Sequence, residues 1–217
     1  MQKVSIEDAE PGLRERKKAA NRAKVLDVAR KLFAKQGFDA TTLEQICSSA
    51  LISKRSFFRY FTDKESLVFP NREERLENFA TFLMANQDVE NPFDSLRAAT
   101  QVFGAEYNEH REHLLDQQAL ICASLELRSR EREIDKDWQD AIARAFSARA
   151  GNSPGGDLWA RVLAGAIMGV VRSTMDFWFD HNCEPDLTKL GLDALDYLER
   201  GFPHRVAPTT GSLQEPS

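Results

Sequence analysis

Apolar residues recur every three or four positions over long stretches of this chain, the spacing that gathers them on one face of an α-helix. Val25, Leu26, Ala29, Leu32 and Phe33 trace the first such face, with Gly37 as a left-handed stop and Phe38 set to pack back onto it. This helix is predicted to begin between Glu15 and Asn21. Thr42 followed three residues later by Gln45 is a capping box, and Ile46 and Ala50 form the buried stripe of a short second helix. Leu51 and Ile52 then make a turn, Ser53 caps a third short helix, and Phe57 and Phe61 share a face at i, i+4. Asp63 caps a fourth. Pro70 cannot continue it, because proline lacks the backbone N–H and clashes with the preceding turn. Asn71 with Glu74 offers a fresh start, which predicts a kink or break over Phe69–Asn71.

The same periodicity carries on. Leu76, Phe79, Phe82 and Leu83 mark a helix over 72–86, and Asn91 with Pro92 opens one bearing Leu96, Ala99, Phe103 and Tyr107. Helices are predicted over 110–130 and 133–149, a loop over Gly151–Asp157, and two closing helices over 158–179 and 187–201. Residues 1–13 and the Pro, Thr, Gly and Ser-rich 203–217 lack periodicity and read as disordered. The fold expected is all-α: a three-helix helix-turn-helix head over 14–67 and a helical body over 68–202.

The penultimate helix stands apart. From Leu158 it carries Trp159, Val162, Leu163, Ile167, Val170, Val171, Met175, Phe177, Trp178 and Phe179, apolar on nearly every side, so it must be covered on nearly every side. A second subunit is the economical cover, with Gly165 and Gly169 allowing close approach of another helix. Leu187, Leu190, Ala194 and Leu198 on the final helix form a narrower stripe suited to completing a dimer seam. A central core helix in a monomer is the other reading of the same pattern.

Charge adds a direction. The chain totals −5, yet Arg14 to Lys64 holds 13 Lys and Arg against 5 Asp and Glu, a net of +8 that leaves −13 for the rest. A basic head on an acidic body binds phosphate at one end and repels the polyanion elsewhere. The three cysteines, Cys47, Cys122 and Cys183, have neither disulfide-framework nor zinc spacing, which suits a reducing cytoplasm. No signal-peptide core opens the chain, and Val162–Val171 is about half the length a membrane span needs. His110 and His113, among acidic residues, read as surface rather than metal ligands. No catalytic or phosphate-loop motif is present in the sequence, so neither enzyme activity, a cofactor nor a metal is expected.

The segment TTLEQICSSALISKRSFFRYFTDKESL, Thr41 to Leu67, resembles the DNA-binding signature of the TetR/AcrR regulators: a Thr-capped helix, an Ile-Ala step, an Ala-Gly-Val-Ser turn, an aromatic pair ending in Tyr-Phe, then a Lys. The likeness runs over residues 20–67. Leu51 stands where that family has Gly, Cys47 where it has Ala, and Phe58 where it often has a Tyr whose hydroxyl donates to phosphate. A Leu in that turn implies either a turn without a left-handed residue or local strain.

The resemblance implies a dimer of nine-helix subunits, each presenting a recognition helix to the major groove and each with a ligand-binding and dimerisation body over 68–202. Lys54 and Arg55, in its first turn, are placed to read guanine O6 and N7. Ser53, Ser56 and Tyr60 supply hydroxyls for phosphate or base, flanked by Phe58 and Arg59, while Thr42 and Lys64 at helix N-termini are assigned to phosphates. Arg14, Arg16, Lys17, Lys18 and Arg22 form either an arm along the DNA or a solvated tail. In the body, Phe79, Leu83, Phe103, Tyr107, Ile121, Trp138, Ile142 and Met168 supply apolar surface for an effector, with Gln118 and Arg172 as polar anchors, although each serves equally as core. Arg172 needs a carboxylate, either Asp176 at i+4 or an acidic ligand. The expected function is a sequence-specific transcriptional regulator, a repressor released from a palindromic DNA operator by a largely apolar small molecule. Its rivals are a ligand-independent DNA-binding protein and a helical lipid-binding protein or enzyme with an incidental basic head.

Overall fold

The computed structural model describes residues 12–85, 91–150 and 155–201, and within them nine α-helices and a single 3-10 turn form, with no strand. The termini expected to be disordered fall almost wholly outside the described residues. The chain divides into two compact units. Of the described residues, the first unit holds those up to Glu73 together with Asp116–Glu133, and the second holds those between Glu74 and Leu115 and those from Ile134 onward.

In the first unit α1 spans Leu13–Gln36, α2 Leu43–Ala50 and α3 Lys54–Phe57, followed by a 3-10 turn at Glu65–Leu67. The first helix starts earlier than its apolar face predicted: Leu13 is already helical, and the basic turn behind it is ordered. It stops at Gly37, whose φ of 81° and ψ of 163° lie in a region reserved for glycine, while its N–H still donates to Phe33 O at 2.8 Å. Phe38 then folds back onto Phe33, ring centroids 5.3 Å apart. Val25, Ala29, Phe33, Ile46, Ala50, Phe57, Phe61, Leu67 and Val68 make one core.

Ile121 and Leu127 complete that core, because α6 (Arg111–Ala123) and α7 (Leu125–Ala150) meet at a corner belonging to this unit. A continuous helix over 110–130 was expected; the chain breaks at Ser124 instead. Ser124 is buried, donates from Oγ to Asp39 Oδ1 at 2.6 Å, and accepts from Leu127 N at 3.4 Å as a helix cap does. Gln117 ties the corner further, donating to Val68 O at 2.6 Å.

At Pro70 the helix is broken rather than kinked, and α4 starts afresh over Arg72–Ala85. Asn71, expected to cap it, adopts a left-handed backbone with φ 59°, and its Oδ1 accepts from Arg22 Nη2 at 2.6 Å. Asparagine tolerates that conformation better than most residues.

The second unit contains α5 (Pro92–Glu109), α8 (Gly156–Asp180) and α9 (Leu187–Arg200) along with most of α4 and α7. Helices α5 and α9 lie unusually close. A Cβ on Gly104 would stand 2.9 Å from Thr188 Cα, and one on Gly191 would stand 2.7 Å from Thr100 Cγ2. Two bare backbones thus accept the two threonines reciprocally. Arg97, bonded to Asp94, Asp196 and Glu199, closes one end of the crossing, and Asn108, accepting from Leu187 N at 2.9 Å, closes the other.

Helix α8 buries Gly156, Ala160, Ala164, Ile167 and Trp178 against its own unit. Burial on every side was expected; within the subunit Leu158 and Val162, opposite the buried face, are 68% and 63% exposed, and Trp159, Val171 and Phe177 elsewhere on the helix are also open. By length and composition this helix is apolar enough to cross a membrane, a test that a core or interface helix also passes. Of the α9 stripe read as half of a dimer seam, Leu187, Leu190 and Leu198 join clusters inside the subunit, Ala194 is half-buried, and Tyr197 is left outward.

Candidate nucleic-acid interface

The element that could meet DNA is built around two caps. Thr42 Oγ1 accepts from Gln45 N at 3.2 Å while Gln45 Oε1 accepts from Thr42 N at 2.9 Å, the full reciprocal box. Ser53 caps α3, accepting from Ser56 N at 3.1 Å, and its hydroxyl is 3.0 Å from that of Ser56. Between them Leu51 ends α2 in the left-handed region, φ 57° and ψ 45°, and is 82% exposed. The turn therefore keeps the geometry that glycine normally supplies and accepts the strain of a Cβ there.

Helix α3 is anchored by Phe57, which is fully buried, and by Phe61, whose ring lies 5.2 Å from it. With that face inward, roughly 100° of rotation per residue places Lys54, Phe58, Arg55 and Arg59 in succession around the outward arc. All four are exposed. Lys54 pairs with Glu44 of α2, whose carboxyl is held below its usual range by that ammonium. Arg59 donates to Tyr60 Oη at 2.7 Å and stacks its guanidinium 4.9 Å from the ring. Asn21 also reaches Tyr60 Oη, at 3.5 Å, and these two donors hold the phenol below its ordinary value. With both donors on the oxygen, the hydroxyl proton is directed away from them and available to a phosphate.

Lys64, assigned to a phosphate, also has a task within the fold. Its ammonium donates to Phe38 O and Thr41 O, both at 3.1 Å, and sits 3.9 Å over the Phe38 ring. Two of three N–H groups are thus used in holding the α1–α2 loop, leaving one for a phosphate. Arg22 likewise turns inward, over Phe61 and onto Asn71, rather than joining an arm, whereas Arg14, Arg16, Lys17, Lys18 and Lys24 line the exposed side of α1.

The ten body residues considered for an effector do not form one group. Phe79, Leu83 and Ile142 lie in one apolar cluster, with Phe103, Trp138 and Met168 packed against it; Phe79 is 4.8 Å from Trp138 and 5.7 Å from Phe103. Tyr107 belongs to a separate cluster around Trp178 and stacks under Arg75 at 4.9 Å. Ile121 is core of the first unit, and Gln118, in that unit too, reaches Cys122 Sγ at 3.7 Å. Arg172 pairs with Asp135 of α7. The Ser124–Asp39 tie escaped sequence reasoning, although Ser followed by Leu-Glu-Leu is a legible cap.

Residues 25–69 match the family model for the bacterial regulatory proteins of the tetR family, and residues 90–203 match the model described as the MftR C-terminal domain. The regulator TcmR of Streptomyces glaucescens is 29% identical over 200 residues, covering 87% of each chain. The putative mycofactocin biosynthesis regulator MftR of Mycobacterium tuberculosis is 26% identical over 158 residues, 71% of this chain and 77% of its own. Among solved structures, SmeT in complex with triclosan superposes with a TM-score of 0.60 at 24% identity, covering 91% of this chain and 99% of SmeT. FadR of Bacillus subtilis in complex with stearoyl-CoA gives 0.56 at 18% identity, over 83% of this chain and 99% of FadR. The head and body models both match, the second across more than half of the chain, on an all-helical fold with a capped helix-turn-helix, and so this chain belongs to the TetR family of bacterial DNA-binding transcriptional regulators.

Proposed function

We propose that this regulator is a cytoplasmic homodimeric repressor that occupies a palindromic operator and leaves it when a largely apolar small molecule binds the second unit. The observation that carries the DNA half of this reading is the outward arc of α3, where Lys54 and Arg55 stand beside two capped helix starts on a face anchored by Phe57. A bidentate contact from Arg55 to guanine is worth about 1 to 3 kcal/mol of discrimination. Thr42, Ser53, Ser56, Arg59, Tyr60 and the remaining N–H of Lys64 supply the phosphate contacts that fix register.

The dimer reading rests on the open face of α8. Two heads on a two-fold assembly engage half-sites about 34 to 36 Å apart or a multiple of that. The effector half draws on the aromatic cluster of Phe79, Phe103 and Trp138 with the flexible Met168, and on relatives of the same fold that hold triclosan or stearoyl-CoA. A ligand that binds the released form better shifts the population to it, and the break before Arg72 gives the chain a joint at which to move.

A footprint of the purified protein on DNA flanking its own gene tests the reading. Protection of a palindrome that is lost on adding triclosan or a long-chain acyl-CoA supports it. Protection indifferent to both, and to a wider library of apolar compounds, favours a ligand-independent binder; no protection overturns the operator reading.

A further inference from the structure

Phe58 is 56% exposed, and its neighbours on the outward arc of α3 are the charged Lys54, Arg55 and Arg59. An exposed ring is ordinary on a protein surface taken singly. Its position here is not arbitrary: on the helical wheel of α3 it falls between Lys54 and Arg55, four residues from one and three from the other. Its backbone is still right-handed helical, φ −64° and ψ −7°, so that spacing holds. Its ring meets the buried Phe57 edge-on, centroids 5.4 Å apart and planes at 88°, which fixes where it points. Any groove that receives Arg55 receives Phe58 as well.

A ring without a hydroxyl has nothing to offer a phosphate. The major groove carries one apolar feature, the 5-methyl group of thymine, and an aromatic or aliphatic side chain is the group that reads it. We infer that Phe58 is a specificity-determining residue that packs on a thymine 5-methyl in each half-site, at a base pair adjoining the one read by Arg55. The inference rests on the operator-binding reading above and gives it a base identity: each half-site holds a thymine beside the guanine, and the aromatic ring replaces a backbone contact with a base contact.

The test is a thymine-to-uracil scan. An operator is selected by the full-length protein from a randomised duplex pool, and each dT is replaced singly by dU, which removes only the methyl group and leaves pairing and backbone intact. Expected is a loss of about 4-fold in affinity per half-site, one buried methylene's worth, at one symmetric pair of positions. Phe58→Ala is expected to weaken the dT duplex by a similar factor and to bind dT and dU duplexes equally, while Phe58→Leu keeps part of the difference. Uniform indifference of the wild-type protein to uracil overturns the inference while leaving operator binding standing, and would place the ring on deoxyribose. Retained uracil sensitivity in Phe58→Ala overturns it too. Because the scan alters the DNA and not the protein, loss of fold cannot mimic the result. Failure to select any duplex would refute the operator reading itself, and this inference with it.

Discussion

Leu51 keeps a backbone conformation that costs an L-residue about 1 to 2 kcal/mol, with a side chain that solvent covers almost entirely. Leu51→Gly is therefore expected to raise stability by about 0.5 to 1 kcal/mol, the strain relieved less the added chain entropy, and Tm by about 2 °C in a thermal melt. A lower Tm would show that the exposed side chain contributes something that its surroundings do not reveal. Lys64 and Arg55 are expected to separate in the opposite way. Lys64→Ala removes the donor to Phe38 O and Thr41 O, so it should cost about 1 to 2 kcal/mol in a denaturant titration and weaken all duplexes alike. Arg55→Ala should leave the melt unchanged and flatten base preference. Caps, turn and basic arc were legible because each is a local pattern. The inward set of Lys64 was not, since Phe38 and Thr41 lie more than 20 residues away and only folding brings their carbonyls to it.

Helices pack here through contacts that no periodicity announces. Gly104 and Gly191 read as neutral or mildly unfavourable helix residues, and only the α5–α9 crossing shows that each receives a threonine. Gly104→Ala sets a Cβ against backbone and should cost about 1 to 3 kcal/mol. Gly191→Ala meets a methyl group, so the second change Thr100→Ser should recover most of its loss in the same denaturation assay. An unchanged midpoint in Gly104→Ala would contradict the close approach. The corner at Ser124 carries a pH signature. Glu126, at the start of α7, faces Glu65 and, less closely, Asp39, with Lys64 opposing them; the neighbouring Glu65 carboxyl first and partial burial second push its carboxyl above the ordinary range. A raised acid binds its proton more tightly in the folded state, so its favourable contribution is present at low pH and lost as pH rises through the folded value. Glu126→Gln, which fixes the uncharged form, should therefore raise Tm at pH 7 and gain nothing below about pH 4, where both carboxyl states are protonated. No gain at pH 7 would mean the two carboxylates do not repel. The break itself was missed because the apolar spacing runs on through Leu125, whereas Ser124 turns the chain by burying its hydroxyl on Asp39.

At the scale of the whole molecule, the proposed operator-bound dimer draws on the division of charge along the chain and on the open face of α8. The all-round apolar pattern of α8 was legible in the sequence. Its outcome is half internal: one face is core, and Leu158 and Val162 opposite it are exposed. Val162→Asp, a charge on that outer face, is expected to halve the mass measured by light scattering and to reduce operator affinity steeply, because half-sites would then be bound singly. A dimer of unchanged mass would move the seam away from α8. The most direct measurement of the central claim is fluorescence anisotropy of the wild-type protein on its selected operator and on a scrambled duplex, across a range of salt. Expected is binding as two subunits per duplex, at least about 1,000-fold tighter on the operator, with affinity falling linearly in log salt. Equal affinity for the two duplexes at every salt concentration would contradict it.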